Sequence, residues 1–144
     1  MPRILVVDDE SEIREVLGEL LRGMGYEVVE ARDGEEAVQI FNAEQIDAII
    51  LDIIMPRRDG LQCLIELTRE YHDVRVIVIS GGGKAQLKLA RRFGAEYVFC
   101  KPFALDDLIS AVKDLVERPA RLFGPDQYLW RKKKVKKRRW RIDK

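Results

Sequence analysis

Features that mark secreted and membrane-spanning proteins are scarce in this sequence. Its 144 residues include only two cysteines, too few for the disulfide framework of a small secreted domain. The longest apolar runs, such as residues 4–7 and 48–51, fall far short of the roughly 20 residues that a membrane helix needs. A strand-like run follows the first three residues, where a signal peptide would have its apolar segment. We expect a cytoplasmic protein without a transmembrane segment, in which Cys63 and Cys100 are reduced and buried.

The net charge of +1 conceals two parts of opposite charge. Residues 131–144 hold ten Lys and Arg residues and one acid, whereas residues 1–130 hold sixteen Lys and Arg residues and twenty-four acids. The total length suits one domain and leaves little room for a second. We therefore expect one acidic domain over residues 1–118, followed by a basic tail over residues 119–144.

Strand and helix patterns alternate five times within the acidic part. Short continuous apolar runs predict strands that are buried on both faces, and apolar residues three and four apart predict helices. Gly25 is placed to end the first helix, and Asp33, with Glu36 three residues later, to cap the second. Five such units predict an α/β fold, a doubly wound parallel sheet with helices on both faces. The predicted strands cover residues 4–7, 28–29, 48–51, 74–79 and 97–100.

Polar residues stand where the predicted strands end. Asp8 and Asp9 follow the first strand, Asp52 the third, Ser80 the fourth and Lys101 the fifth. A single acid at a strand end is usually a helix cap or a solvated loop residue. Ligands of parallel sheets bind beyond the carboxyl ends of the strands, however, so these side chains are expected to converge. Clustered carboxylates repel one another unless a cation joins them, and oxygen ligands of this kind suit Mg²⁺.

Such a cluster could transfer a phosphoryl group. A carboxylate that stays anionic can attack phosphorus and form an acyl phosphate. The metal ion, the Lys101 ammonium and the Ser80 hydroxyl could share the charge of the transferring group. The alternative for Lys101 is a plain ion pair with an aspartate, and the two interpretations are compatible.

In these segments the chain resembles the receiver domains of two-component response regulators, over roughly residues 3–117. Each segment alone is weakly specific, but their order and spacing together are highly specific. The resemblance implies a flavodoxin-like sheet of strand order 2-1-3-4-5 in a stand-alone regulator similar to those of chemotaxis. The segments that carry it are Val6-Val7-Asp8-Asp9-Glu10, Asp52-Ile53-Ile54-Met55-Pro56 with Asp59-Gly60, Ile79-Ser80, and Lys101-Pro102-Phe103.

The resemblance also implies a phosphoacceptor and a metal site. Asp52 would receive a phosphoryl group from a sensor histidine kinase or a phosphotransfer protein. Mg²⁺, with Mn²⁺ as an alternative ion, would be held by Asp8, Asp9, Asp52 and the backbone carbonyl of Ile54. The protein would assist its own phosphorylation and dephosphorylation without being an enzyme in the usual sense.

Further roles follow from the same resemblance. Ser80 and Lys101 would bind the phosphoryl oxygens, and the peptide bond before Pro102 would be cis. The residues that would shape the loops beside the acceptor are Met55, Pro56, Gly60 and Pro102.

The switch region departs from the family pattern. The family couples the hydroxyl of the fourth strand to an aromatic residue three positions before the lysine, and here that position is Val98. Strand alternation directs Tyr97 and Phe99 to the opposite face. The stretch that contains Gly81 and Gly82 is also about one residue short of the commonest pattern. We therefore predict a shortened, mobile fourth helix and a switch that works by loop ordering.

Two positions near the line of attack, Ile54 and Gly82, have no polar side chain to orient water. This predicts slow self-hydrolysis of the phosphoryl group.

The basic tail leaves several interpretations open. It is too short and too poor in apolar residues for a helix-turn-helix output domain. A solvated tail comes first, followed by nucleic-acid contact through phosphates with stacking of Trp130 and Trp140. Docking on a partner, a dimer mate or the acidic body is a third option, and binding to anionic membranes a fourth. A frameshift origin is a further alternative.

Three function classes compete for the domain. The first is a phosphorylation switch whose output is contact with a downstream protein through the fourth and fifth strands and helices, or homodimerisation. The second is a phosphatase, which would need a general acid two residues after the nucleophile, where Ile54 stands. The third is a phosphorylation-independent binding module.

Overall fold

The computed structural model describes residues 1–54, 60–71 and 74–118. Within these ranges five strands alternate with five helices, as the sequence pattern predicts. The strands are β1 (Arg3–Val7), β2 (Glu27–Ala31), β3 (Ala48–Asp52), β4 (Val76–Ser80) and β5 (Tyr97–Cys100). The helices are α1 (Ser11–Gly23), α2 (Gly34–Ala43), α3 (Gly60–Glu70), α4 (Lys84–Arg92) and α5 (Leu105–Glu117).

The strands form one parallel sheet in the order β2-β1-β3-β4-β5, so the predicted fold class and strand order are confirmed. Every residue of β3 and β4 is buried, as is β1 after its first residue. The edge strands β2 and β5 are only partly covered. The continuous apolar runs thus belong to the central strands, as expected for strands with a packed layer on each face.

Alternate strand residues face two separate apolar clusters. Leu5 and Ile49 belong to the cluster beneath α2, α3 and α4, whereas Ile4 and Ile50 belong to the cluster beneath α1 and α5. Burial of each such side chain contributes about 1.5–3 kcal/mol. The central strands are therefore fixed between two packed layers, and so are the residues at their carboxyl ends.

The predicted helix ends are found at their expected positions. The Oδ1 atom of Asp33 accepts a 2.9 Å hydrogen bond from the Glu36 amide at the start of α2. Glu36 in turn accepts one from the Arg32 amide. Gly25, just after α1, has a φ of 93°, a conformation that favours glycine.

Two expectations differ from the structure. β4 begins at Val76 rather than Val74, because Val74 is buried by side-chain packing without joining the ladder. Cys63 is buried but Cys100 is exposed, so the expectation of two buried thiols is wrong for Cys100. Cys100 ends an edge strand, where no further strand covers it.

The basic tail predicted over residues 119–144 lies outside the described residues. Among the helices of the described ranges, none has the length and apolarity that crossing a bilayer requires.

Candidate functional site

Polar side chains from four strands meet at the carboxyl edge of the sheet. Asp52 and Ser80 are the last residues of β3 and β4, and Asp8 and Lys101 directly follow β1 and β5. All but Lys101 are buried, and the Lys101 side chain is 25% exposed. Because the strands are parallel and in register, the fold brings together residues that are far apart in the sequence.

Lys101 bridges the two buried carboxylates. Its Nζ lies 3.1 Å from Oδ2 of Asp52 and 3.5 Å from Oδ2 of Asp8. Burial alone would lower the pKa of Lys101, but the hydrogen bond to Asp52 and the negative charges around it outweigh burial and raise that pKa. Lys101 is therefore a permanent positive charge between the acids.

Asp8 is the buried carboxylate whose charge is least compensated by hydrogen bonds from described residues. Its Oδ1 accepts a 2.9 Å hydrogen bond from the Glu10 amide, whereas its buried Oδ2 accepts none from any described residue. Burial raises the pKa of Asp8 to about 6; the Glu10 amide and Lys101 oppose this, and the charges of Asp52 and Asp9 add to it. The ion contact with Lys101 at 3.5 Å thus leaves this oxygen incompletely compensated.

Three consecutive acids offer oxygens to a metal ion at this point. One carboxylate oxygen from each of Asp8, Asp9 and Glu10 lies within 4.8 Å of the others, and the latter two residues are exposed. Clustered oxygens beside a buried oxygen that accepts no hydrogen bond from the described residues fit a hard divalent cation such as Mg²⁺. Glu10 was not among the predicted ligands, although its place as the third acid in a row is a signal for it.

Asp52 lies outside this trio. Its Oδ1 accepts a 2.9 Å hydrogen bond from the Ile54 amide, and its Oδ2 contacts Lys101. The structure therefore gathers Asp8 and Asp9 as candidate ligands and holds Asp52 beside them through Lys101. Both oxygens of Asp52 are oriented by a donor, which fixes the side chain at the end of β3.

Ser80 and the glycines that follow it form the next part of the site. The Ser80 hydroxyl is buried and accepts a 3.0 Å hydrogen bond from the amide of Gly82. A Cβ on Gly82 would lie 2.7 Å from Cδ1 of Ile54 and 2.6 Å from Oε1 of Gln86. Ile54 and Gly82 are thus in close contact, and Gln86 is a polar neighbour that the sequence pattern did not single out.

Gly60 lies against the backbone at the end of β3. A Cβ at this position would be 2.2 Å from the carbonyl oxygen of Asp52 and 2.4 Å from Cα of Ile53. The start of α3 therefore requires glycine here, because any side chain would displace the end of β3. The Lys101–Pro102 peptide bond is cis. Met55 and Pro56 lie outside the described residues.

The residues of β5 divide between the two faces of the sheet. Val98 packs against the cluster beneath α2, α3 and α4, whereas Tyr97 and Phe99 pack against the cluster beneath α1 and α5. No aromatic side chain of β5 therefore faces α4, which at nine residues is the shortest helix of the described ranges. Gly81 is exposed between Ser80 and this helix.

Arg14 is a further residue that sequence reasoning missed. From α1 it donates a 2.6 Å hydrogen bond to the carbonyl oxygen of Asp8 and a 3.2 Å bond to Oε1 of Glu30 on β2. A cation near the amino end of a helix opposes the helix dipole. That unfavourable placement is the signal that could have drawn attention to Arg14.

The chain is similar to known proteins of one family. The chain matches the family model described as response regulator receiver domain over residues 4–113. It is 38% identical over 117 residues to the transcriptional regulatory protein PdtaR of Mycobacterium tuberculosis, covering 81% of this chain and 57% of that protein. It is 37% identical over 125 residues to the response regulator MprA of a Mycobacterium species, covering 86% and 54%. The chain thus spans about half the length of these curated relatives.

Solved structures agree with the sequence matches. The response regulator TrrA from Thermotoga maritima, solved in complex with Mg²⁺-BeF, superimposes with a TM-score of 0.74 at 39% identity, covering 80% of this chain and 99% of that one. The receiver domain of the Francisella response regulator 1452 gives a TM-score of 0.77 at 29% identity, covering 82% and 98%.

Proposed function

The chain belongs to the response regulator receiver domain family of two-component systems, and on this premise we propose that it accepts a phosphoryl group on Asp52 in a Mg²⁺-dependent reaction. One observation carries the proposal, namely the Lys101 ammonium between Asp52 and the incompletely compensated Asp8. Receiver domains are signalling switches rather than classical enzymes, so one phosphorylation changes the state of one molecule.

The proposed step is a single displacement at phosphorus. A carboxylate oxygen of Asp52 attacks the phosphorus of a phosphohistidine and forms an O–P bond while the P–N bond breaks. The electron pair of the broken bond leaves with the imidazole nitrogen of the donor. Lys101 contacts Asp52, and Ser80 follows Ile79, the register partner of Asp52 on β4. Both side chains would donate to the phosphoryl oxygens, whose charge peaks in the transition state.

The chain has suitable residues for the ion. Asp8 and Asp9 would hold Mg²⁺, with Mn²⁺ as a substitute, and we propose Asp52 and the Ile54 carbonyl as further ligands. Glu10 is added to this set by its place in the acidic trio. When bound, the ion supplies positive charge that stabilises the transferring phosphoryl group. Asp8 would then be ionised, and its buried Oδ2 would gain a second cationic partner besides Lys101.

The surroundings of Asp52 support slow loss of the phosphoryl group. Ile54 is 46% exposed and packs on Gly82, so neither of these two positions offers water a polar side chain. The absence of an acid at position 54 also argues against a phosphatase, which would need a general acid there. We therefore propose a long-lived phosphorylated state.

The donor and the output are proposed at the level of class. A phosphohistidine on a sensor kinase or phosphotransfer protein is the donor, and the cytoplasm is where this reaction would take place. The receiver would occupy residues 1–118 and act on a downstream protein through the surface of α4, β5 and α5. The name of PdtaR makes transcriptional control one candidate output.

Incubation with acetyl phosphate and Mg²⁺, followed by mass measurement of the intact chain, tests the proposal. We expect the mass of one phosphoryl group on the wild type, lost with EDTA and absent from Asp52→Asn. Asp106→Asn, which changes an exposed acid of α5, is the matched control and is expected to react normally. Equal labelling of Asp52→Asn would refute the assignment. A folded wild type that takes up no phosphoryl group would favour a phosphorylation-independent binding module.

A further inference from the structure

An apolar groove of about 430 Å³ lies between the first turns of α1 and the connection from β5 to α5. Val16 of α1 and Leu105 of α5 line it and remain 55% and 45% exposed. Ile13, Leu17 and Phe103 form its deeper walls. Large aliphatic side chains exposed together in a concave surface mark a binding site rather than scattered surface residues.

The surroundings of the groove are acidic. Glu12 lines the groove. The cationic side chain of the lining, Lys101, already forms ion pairs with Asp52 and Asp8. An occupant that complements this surface would combine an apolar side chain with several positive charges. The elements that line the groove carry further exposed acids, on the loop before α1, on α1 itself and on the first turn of α5: Asp9, Glu10, Glu15, Asp106 and Asp107.

The chain itself contains such a segment. Trp130 directly precedes the basic run over residues 131–139, and residues 119–144 carry a net charge of +9 against −8 for residues 1–118. We propose that Trp130 binds in this groove of the same molecule and that residues 131–139 lie against the acids of α1 and α5. This contact does not depend on the proposed function.

The length of chain after α5 permits this contact. Arg75, just before β4, donates hydrogen bonds to the carbonyl oxygens of Leu115 and Arg118, so α5 ends at the amino edge of the sheet. The groove is at the opposite edge, about 20 Å away along the 13 residues of α5. The eleven residues from 119 to 129 can span up to about 36 Å, enough to return along the helix.

Tryptophan fluorescence provides a direct test, because both tryptophans of the chain, Trp130 and Trp140, are in the tail. In the full-length chain with Trp140→Phe, Trp130 is the sole reporter. We expect its emission to be blue-shifted and shielded from acrylamide at low salt. Val16→Lys and Leu105→Lys, singly and together, are expected to shift the emission to the red and restore quenching, since they remove apolar contact and add positive charge.

Matched controls separate the groove from a general charge effect. Leu89→Lys on α4 and Phe93→Lys just after it add the same charge at side chains that are each 39% exposed, and they are expected to leave Trp130 shielded. Circular dichroism verifies the fold of each variant. Three results would each overturn the proposal: a wild-type Trp130 as quenchable as free tryptophan, equal release by the Leu89 and Phe93 controls, or shielding that disappears on dilution, which would indicate a second copy.

Discussion

Arg14 and Asp8 are joined through the backbone: Nη1 of the arginine donates a 2.6 Å hydrogen bond to the carbonyl oxygen of the aspartate. This bond links the first turn of α1 to the residue that follows β1. The same guanidinium contacts Glu30 and is largely buried, with 17% of the side chain exposed. Arg14 therefore fixes the backbone from which the acidic trio projects, although it does not contact the proposed ion itself.

Replacement of Arg14 by methionine is expected to weaken Mg²⁺ binding about tenfold, as losses of outer-shell support typically do. The free energy of unfolding should fall by about 1 kcal/mol through the lost hydrogen bond. Calorimetric titration with MgCl₂ and thermal denaturation measure the two effects. Arg22→Met is the control, because Arg22 also contacts Glu30, at 3.7 Å, but is 51% exposed. Equal Mg²⁺ affinities in the two variants would contradict a positioning role.

The stabilisation by Mg²⁺ is expected to grow as the pH rises. Burial raises the pKa of Asp8 from 3.8 to about 6, so the ion-free fold retains a proton that the unfolded chain has released. The contribution of this group to the free energy of unfolding is fully present below pH 3.8 and is lost as the pH rises through about 6. Because Mg²⁺ needs the ionised carboxylate, the increase in melting temperature that it causes should be larger at about pH 7.5 than at about pH 5.

Asp8→Asn tests the origin of this pH dependence. The variant should lose both the Mg²⁺ effect and the decline in ion-free stability between pH 3.8 and 6. Asp106→Asn should keep both. A Mg²⁺ effect of constant size across this range would argue against Asp8 as the controlling group.

Gly60→Ala is expected to destabilise the fold by about 3 kcal/mol, the cost of overpacking against immobile atoms. The new methyl group would meet the backbone of Asp52 at 2.2 Å, and a backbone in the sheet has little freedom to move. Gly23→Ala is the matched control, since a Cβ at the end of α1 meets nothing within 4 Å. Chemical denaturation should show the control unchanged or slightly more stable. Equal stability of the two variants would mean that the end of β3 is far more deformable than its packing indicates.

Ile54→Asn is expected to shorten the lifetime of the phosphorylated state about tenfold or more, by giving water a polar group next to Asp52. The decay of the phosphorylated mass after removal of the donor measures this lifetime. Position 54 is the suitable one, because a side chain at Gly82 would collide with Ile54 and Gln86. Leu89→Asn, on α4, is the control. An unchanged lifetime in Ile54→Asn would mean that water access does not limit hydrolysis.

The switch is expected to act through the segment from residue 81 to residue 90. Val98 is too small to move as an aromatic switch residue would, and Ser80 contacts the backbone of Gly82 directly. A phosphoryl group that accepts a hydrogen bond from the Ser80 hydroxyl would therefore alter the conformation of this turn and of α4. Backbone ¹⁵N relaxation should show the segment becoming more rigid on phosphorylation. Equal rigidity in both states would contradict ordering of this segment.

The fold could be predicted because local patterns and topology agree. Continuous apolar runs at 4–7 and 48–51 specify strands buried on both faces, and short βα units leave little choice but a parallel sheet. The strand-end positions of Asp52 and Ser80 follow from that sheet alone. Strand order came from the family resemblance, since apolar periodicity carries no information about which strands are neighbours.

The site residues that sequence reasoning missed depend on side-chain conformation and on tertiary position. Arg14 and Gln86 approach the site from helices, and their contacts depend on rotamers that no spacing rule specifies. Cys100 appeared to belong to an apolar strand, but its exposure depends on β5 being an edge. Glu10 was visible in the sequence, yet only the turn after β1 brings its carboxylate to the neighbouring acids.

The unequal burial of Cys63 and Cys100 has a practical consequence. Thiol reactivity requires access for the reagent, so a maleimide or a nitroxide would attach at Cys100 while Cys63 stays protected. The attachment point is the residue before Lys101, on the strand that borders α4. The natural sequence can therefore be spectroscopically labelled at one position next to Lys101, with no cysteine substitution required.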